Sequence, residues 1–428
     1  MKKLLSLCFC LLIPLSLITK ANAGEQAEQL FKQLAPSLYQ IKLIDIASGE
    51  KSSIGSAFQI TEDGLIATNY HVISGFARHP EKYKIEYLDN SGNTGLLTLK
   101  SVDIVNDLAL VKRDVDENQT TNNYFKISAT TPIKGEQLYS LGNPHDLGMI
   151  VVPGTYNGLK KESFNERIHF TGSVNSGMSG GPVVNKNAEV VGINVATSGN
   201  QIGFLVPHTK LVKLFSDYQE LGGQNIVEQM ATQLSANQEK LLNSMLNSQW
   251  QMRQLGNGQI PIIDAPFIRC WGDSNSDKTE ALYFAAVAQC ALDDDIYVDS
   301  RFFTGMVEME FRYIESKKLS TTKFYHLYQN LFSRAGANNQ VDKDDVSEFE
   351  CAHNTITTRA DEHGMAAKSA FCTRAYKDFP KLFDVVFISA SVDQQQQGLI
   401  SYFSLSGVEQ ALSQAFTEKF IEAVSWKQ

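Results

Sequence analysis

Asn175-Ser176-Gly177-Met178-Ser179-Gly180-Gly181-Pro182-Val183-Val184 is the stretch that decides the fold. One serine stands among glycines, and a proline closes the turn into an apolar strand. Glycine gives a loop backbone conformations that other residues avoid. Such a loop can turn the N–H groups of Gly177 and Ser179 towards one point, as a developing oxyanion requires. A serine displayed in this way needs a base to take its proton and a group to hold that base in the right tautomer.

Two upstream stretches supply both. In Leu65-Ile66-Ala67-Thr68-Asn69-Tyr70-His71-Val72-Ile73 an apolar strand ends and His71 sits at its mouth. In Asn106-Asp107-Leu108-Ala109-Leu110-Val111-Lys112 the aspartate opens an apolar strand, where its carboxylate can be half-buried. These residues predict Ser179 as nucleophile, His71 as general acid/base and Asp107 as the orienting carboxylate, with Gly177 and Ser179 forming the oxyanion hole. Each residue type alone is commoner in a duller role: a satisfied histidine, a turn aspartate, a glycine loop. The order His, Asp, Ser makes the coincidence hard to dismiss. His79, His145, His169 and His208 are rival bases, but none precedes a suitable aspartate in that order. Asp103 lacks the Leu-Ala-Leu strand that follows Asp107.

Around these words, from Tyr39 to about Val206, short strands alternate with turns such as Glu62-Asp63-Gly64, Asn90-Ser91-Gly92 and Gly142-Asn143-Pro144. Many short strands at this spacing read as an all-β barrel or sandwich.

The words and their order resemble the chymotrypsin-like (trypsin-like) serine proteases, most of all the HtrA/Deg-type bacterial branch. The matching stretches are Gly55-Ser56-Ala57-Phe58, Thr68-Asn69-Tyr70-His71-Val72, Asp107-Leu108-Ala109-Leu110, Leu141-Gly142-Asn143-Pro144, Gly177-Met178-Ser179-Gly180-Gly181-Pro182, and Val191-Gly192-Ile193-Asn194 followed by Ile202 to Pro207. They run through residues 36 to 210, roughly two fifths of the chain. The resemblance implies an all-β double barrel with the active site in the cleft between barrels, protein or peptide substrates, and no metal or organic cofactor. It places Ser173, six positions before the serine, at the base of the pocket for the residue before the scissile bond. It makes Asn194, Val195 and Ala196 the backbone edge that pairs with an extended substrate. Because Ser173 is not an acid, a small or medium apolar residue is expected there rather than strictly Lys or Arg.

The chain departs from that family in several places. His169-Phe170-Thr171-Gly172-Ser173-Val174 stands where the HtrA branch usually has a Gln-Thr-Asp-Ala run, and Met178 replaces the usual Asn. The loop near Ser48 to Ser53 is short, and nothing after residue 220 reads as a PDZ domain. No Arg/Lys-Ile-Val-Gly-Gly activation site stands near the barrel start, so activity is expected without processing beyond signal removal.

Met1 to Ala23 reads as a secretory signal: Lys2 and Lys3, an apolar Leu4 to Ile18, and an Ala21-Asn22-Ala23 cleavage site. Removing it takes Lys2, Lys3 and Lys20 from 38 basic residues, leaving 35 against 47 acidic ones and a net charge of −12. That balance gives no reason to expect nucleic acid as partner, and no membrane span is expected after cleavage. Of the six cysteines, Cys270, Cys290, Cys351 and Cys372 remain. Four in an exported chain suggest two disulfides with three connectivities, neighbours in sequence being the favoured pairs. Zinc held with His353 is the alternative, but there is no C-x-x-C pair. Asp342-Lys343-Asp344-Asp345 faintly suggests calcium, yet Ser347 stands where a calcium loop has glycine.

The expected organisation is a signal peptide (1–23) and a protease domain with a short N-terminal helix (24–217). A helical linker (218–256) follows, with helical spacing from Ile226 to Leu255 broken by Gly256-Asn257-Gly258. Last comes a mixed α+β, disulfide-bonded C-terminal domain (257–428). The reading is an exported serine endopeptidase of the bacterial periplasm. A non-enzymatic binding or chaperone-like protein on a protease scaffold, and an esterase using the same triad, are the alternatives. The C-terminal domain is expected to recruit substrate, bind an envelope partner or gate the cleft. The sequence leaves that choice, and the oligomeric state, open.

Overall fold

The computed structural model describes residues 23–114, 123–197, 199, 201–222, 225–334, 339, 341–359 and 364–427. The expected signal, apart from the backbone of Ala23, lies outside the described residues. Helix α1 (Ala23–Leu34) buries Ala27, Leu30 and Leu34 on one face.

Strands β1 (Leu38–Asp45), β2 (Lys51–Gln59), β3 (Leu65–Thr68), β4 (Tyr83–Asp89), β5 (Thr94–Asp103) and β6 (Leu108–Arg113) close a barrel in the order β1-β2-β3-β6-β5-β4. Between β3 and β4 runs helix α2 (Tyr70–Arg78). Strand β7 (Lys126–Ile127) then leads to β8 (Gln137–Gly142), β9 (Ile150–Leu159), β10 (Ile168–Thr171), β11 (Pro182–Val184), β12 (Glu189–Thr197) and β13 (Gly203–Pro207). The order β11-β8-β9-β10-β13-β12 closes through a β11–β12 pairing, and β7 lies parallel on β12. The predicted double barrel is therefore present. Apolar side chains of both barrels and of α1 share a core that includes Leu30, Phe58, Leu110, Phe125, Leu141 and Val206.

Helices α3 (His208–Leu221) and α4 (Ile226–Asn247) follow. The Asn225 side chain caps α4 by accepting from Val227 N–H at 2.9 Å and Glu228 N–H at 3.4 Å, which supplies partners that a helix start otherwise lacks. Two expectations are corrected here. The helix stops at Asn247, and Gln249–Leu255 is a strand, β14, paired from Gln249↔Asp264 to Leu255↔Gly258 with β15 (Gly258–Asp264). Gly256 and Asn257 are thus a hairpin turn and not a boundary. Met230 and Leu234 of α4 are buried against the first barrel, while Leu241, Leu242 and Met245 are buried in the C-terminal core.

That C-terminal region contains β16 (Ile268–Ser274), β17 (Tyr283–Leu292), the hairpin β18 (Ile296–Asp299) and β19 (Phe302–Thr304), β20 (Val307–Ser316) and α5 (Thr321–Arg334). It continues with β21 (Glu350–Thr357), β22 (Ala366–Ala375), β23 (Phe383–Ser391), β24 (Gln397–Val408), α6 (Gln410–Glu422) and β25 (Ser425–Trp426). Seven strands form one antiparallel sheet in the order β16-β17-β20-β24-β23-β22-β21. Successive strand residues point to opposite faces, so Val385 and Phe387 meet Phe416 and Phe420 of α6, while Val386 and Ile388 meet Phe324 and Tyr328 of α5. A strand covered on both faces reads as a continuous apolar run, as Val385 to Ile388 does. The two disulfides, Cys270–Cys290 and Cys351–Cys372, join directly opposed residues of β16/β17 and β21/β22. The favoured neighbour pairing is the one formed, and it leaves no thiolate to bind zinc beside His353.

Candidate active site

His71 is the second residue of α2. Thr68 ends β3, and Asn69 turns the chain into the helix in extended geometry. Asp107 sits just before β6 in a left-handed conformation, φ 61°. Its carboxylate accepts two bonds from one residue: Oδ1 from the backbone N–H of His71 at 2.8 Å, and Oδ2 from ring Nδ1 at 2.6 Å. Asn69 Nδ2 donates to the Asp107 carbonyl at 2.7 Å, which fixes the backbone carrying that carboxylate. With Nδ1 donating, the imidazole tautomer leaves Nε2 as the basic nitrogen. Burial alone would depress the His71 pKa, but the Asp107 charge and hydrogen bond outweigh it, so the pKa lies above the ordinary imidazole value.

Ser179 lies in the loop between β10 and β11, strapped to the first barrel by Ser56 of β2. Ser56 N–H donates to the Ser179 carbonyl at 2.7 Å, and Ser56 Oγ donates to the Gly177 carbonyl at 2.7 Å while accepting from Asn143 N–H at 2.9 Å. Gly177 (φ 91°) and Gly180 (φ 83°) occupy the left-handed region. A Cβ on Gly177 would collide with the Asn143 carbonyl, and one on Gly180 with the Ser56 carbonyl and Thr68 Oγ1. The Ser176 carbonyl accepts from His145 N–H at 2.9 Å. A trans peptide points its N–H opposite to its carbonyl, so this bond turns the Gly177 N–H away from His145. Among the described residues neither Gly177 N–H nor Ser179 N–H has a backbone acceptor. Two donors of one turn are therefore available to a ligand. The Ser179 hydroxyl makes no hydrogen bond to His71, and such bonds are often long in a site without substrate.

The other expected residues divide. Val195 and Ala196 line a cleft of about 370 Å³ whose wall includes His71 and Asp107. The β11 ladder along β12 ends at Ile193, leaving that side of both residues unpaired. Asn194 does not fit the expectation of substrate pairing. It is fully buried, its N–H donates to Gly181, its carbonyl accepts from Gly180, and its side chain bonds Ser140 Oγ and the Leu141 carbonyl. Every polar group of Asn194 is engaged, the backbone with the serine loop and the side chain with β8. Ser173 is exposed in the preceding loop, and Met178 is fully buried in the second barrel's core.

The rivals have other partners. Asp103 accepts from Asn106 N–H and Nδ2, closing the turn that leads to Asp107. His208 is buried with Nδ1 bonded to the Val191 carbonyl. His145 stands in a left-handed turn whose neighbour, Asp146, bonds Gln40 and Lys51. The acidic run near 342 is ion-paired: Asp342 meets Arg301, and Asp345 meets Arg78.

Sequence reasoning missed two contributors. Ser56 carries no chemistry of its own, yet it ties the serine loop across the barrel interface. The C-terminal segment 293–299 reaches the cleft from far along the chain, with Asp293, Asp294, Asp295, Ile296 and Tyr297 on its wall.

Comparison with known proteins agrees with the resemblance. Residues 55–193 match the family model described as trypsin-like peptidase domain. A serine protease HTR4 of Rattus norvegicus is 32% identical over 202 residues, which is 44% of this chain and 40% of that protein. Protease Do-like 5, chloroplastic, of Arabidopsis thaliana is 27% identical over 198 residues, 40% of this chain and 61% of that protein. The chain thus spans less than two thirds of either relative. The solved structure of Deg5 covers 46% of this chain and 94% of its own at 25% identity, with a TM-score of 0.40.

Proposed function

We propose that this chain, whose residues 55–193 match the trypsin-like peptidase domain model, is an exported serine endopeptidase. The observation that carries the proposal is the double engagement of His71 by Asp107, with the Nδ1 bond at 2.6 Å, beside a glycine turn with two free donors.

In this mechanism His71 Nε2 takes the proton of the Ser179 hydroxyl as its oxygen attacks the scissile carbonyl. The Gly177 and Ser179 N–H groups receive the oxyanion, His71 returns the proton to the leaving amine, and an acyl-Ser179 ester remains. Water, deprotonated by His71, then cleaves that ester. Asp107 stays ionised and stabilises the imidazolium in both steps. No metal or organic cofactor takes part. The two cross-strand disulfides favour an oxidising compartment, and the periplasm of a bacterium fits the signal-like start.

Labelling by a fluorophosphonate probe tests the proposal. The protein from Gly24 to Gln428 should be labelled and should cleave an unfolded protein substrate, and Ser179→Ala should do neither. Equal labelling of both proteins would remove Ser179 from its role. Ester turnover without protein cleavage would make the chain an esterase.

A further inference from the structure

The segment Asp293–Asp299 is anchored on both barrels. At one end the Asp294 carboxylate accepts from Ser163 Oγ at 2.8 Å and Phe164 N–H at 2.7 Å, and it meets Lys160 Nζ at 3.3 Å, all in the loop between β9 and β10. At the other end β18 is clasped to α2, the helix that carries His71. Tyr70 Oη donates to the Val298 carbonyl at 2.8 Å, and the nearly buried Arg78 guanidinium pairs with Asp299, Asp345 and Asp378. Between these anchors the Tyr297 ring stands edge-on to the His71 ring, centroids 6.1 Å apart, with Ile296 buried beside it. The segment lines the 370 Å³ cleft together with Val195, Ala196 and Phe204 and the charged Lys160 and Arg167.

We infer that the segment is a substrate-binding wall: the C-terminal domain completes the cleft, and an extended peptide laid along Val195 and Ala196 packs an apolar side chain against Tyr297. The inference rests on the peptidase reading and adds to it the element that selects an extended polypeptide over a small acyl group. An unpaired strand edge offers main-chain hydrogen bonds to such a peptide, and pockets beside the edge supply selectivity. Binding of residues remote from the scissile bond contributes to turnover of long substrates and not of short ones.

The test compares kcat/KM for a decapeptide with that for a one-residue ester, in the native protein, Tyr297→Ala and Tyr297→Phe. Tyr297→Ala should lower the peptide-to-ester ratio about tenfold, the value of one apolar pocket contact, mainly through KM. Tyr297→Phe should restore the ratio, because the ring makes the wall. A ratio within about twofold of the native value in Tyr297→Ala, including an equal fall on both substrates, would overturn the inference. Native protein that hydrolyses neither substrate and takes up no fluorophosphonate would overturn the peptidase reading, and the wall with it.

Discussion

At the residue scale, the proposed chemistry depends on one carboxylate, and pH reads its effect. The His71 pKa is held above its ordinary value of 6.5 by Asp107 against burial. A general base must be neutral, so kcat/KM should rise with pH to a midpoint above that value. Folding stability has the opposite sign. A raised pKa favours the protonated form in the folded state, so this contribution is full below the unfolded pKa and fades as pH climbs through the folded one. Activity should therefore grow where this contribution is being lost. Asp107→Asn removes both raising influences and leaves burial. Its acid limb should move to lower pH while kcat falls about 10⁴-fold, and a pH–rate profile of both proteins checks this. An unmoved limb would mean that some other group is titrating. Ser179→Ala should leave the unfolding midpoint within about 0.5 kcal/mol of native, since the hydroxyl it deletes makes no hydrogen bond to His71. The His71–Asp107 contact and the glycine turn around Ser179 were legible in the sequence because their local words are short and contiguous. The role of Asn194 was not, because its partners, Ser140 and Leu141, lie 54 and 53 positions away.

At the scale of elements, the serine loop is held by a close approach that admits no side chain. Gly180 has φ 83° and faces the Ser56 carbonyl, Thr68 Oγ1 and Asn69 N, whereas Gly92, at φ 89° in the β4–β5 turn, has no atom within 4 Å of an added Cβ. Gly92→Ala should cost about 1 kcal/mol, the strain of a left-handed alanine. Gly180→Ala adds a collision with backbone, which cannot rotate away, and should cost about 3 kcal/mol. Denaturant midpoints give the difference, and equal losses would mean that the loop relaxes freely. The same scale shows where sequence reading fails. Met252 continues the helical spacing of α4, so Gln249–Leu255 was read as helix. Yet Trp250 and Met252 alternate with polar residues, and Gly256-Asn257 is a two-residue hairpin loop with Gly256 at φ 58°. The helical pattern was extended past a period-two signal that the β14–β15 pairing obeys.

For the whole molecule, the two halves share a core, and their joint is an ion cluster that no local reading could find. Tyr70, Val72 and Ile73 of the first barrel pack in one apolar cluster with Ile296, Val298, Phe302, Phe379 and Leu382. Arg78 closes that interface on three carboxylates, those of Asp299, Asp345 and Asp378, which lie 221, 267 and 300 positions away. Its side chain is 4% exposed, and those of Asp299 and Asp345 are 22% and 16% exposed. Arg78→Met keeps the stem and removes the charge, leaving the carboxylates of Asp299 and Asp345, which water reaches poorly, while that of Asp378 is half exposed. Removing one member of a buried ion cluster costs about 3 kcal/mol or more. Replacing all three aspartates by asparagine in the same protein should recover most of it. Unfolding followed by denaturant checks the prediction. An unchanged midpoint would mean that the apolar cluster alone joins the halves. A loss confined to a separate early transition would mean that they unfold independently, whereas the shared core predicts one cooperative step in which the cleft wall and the His71 helix are lost together.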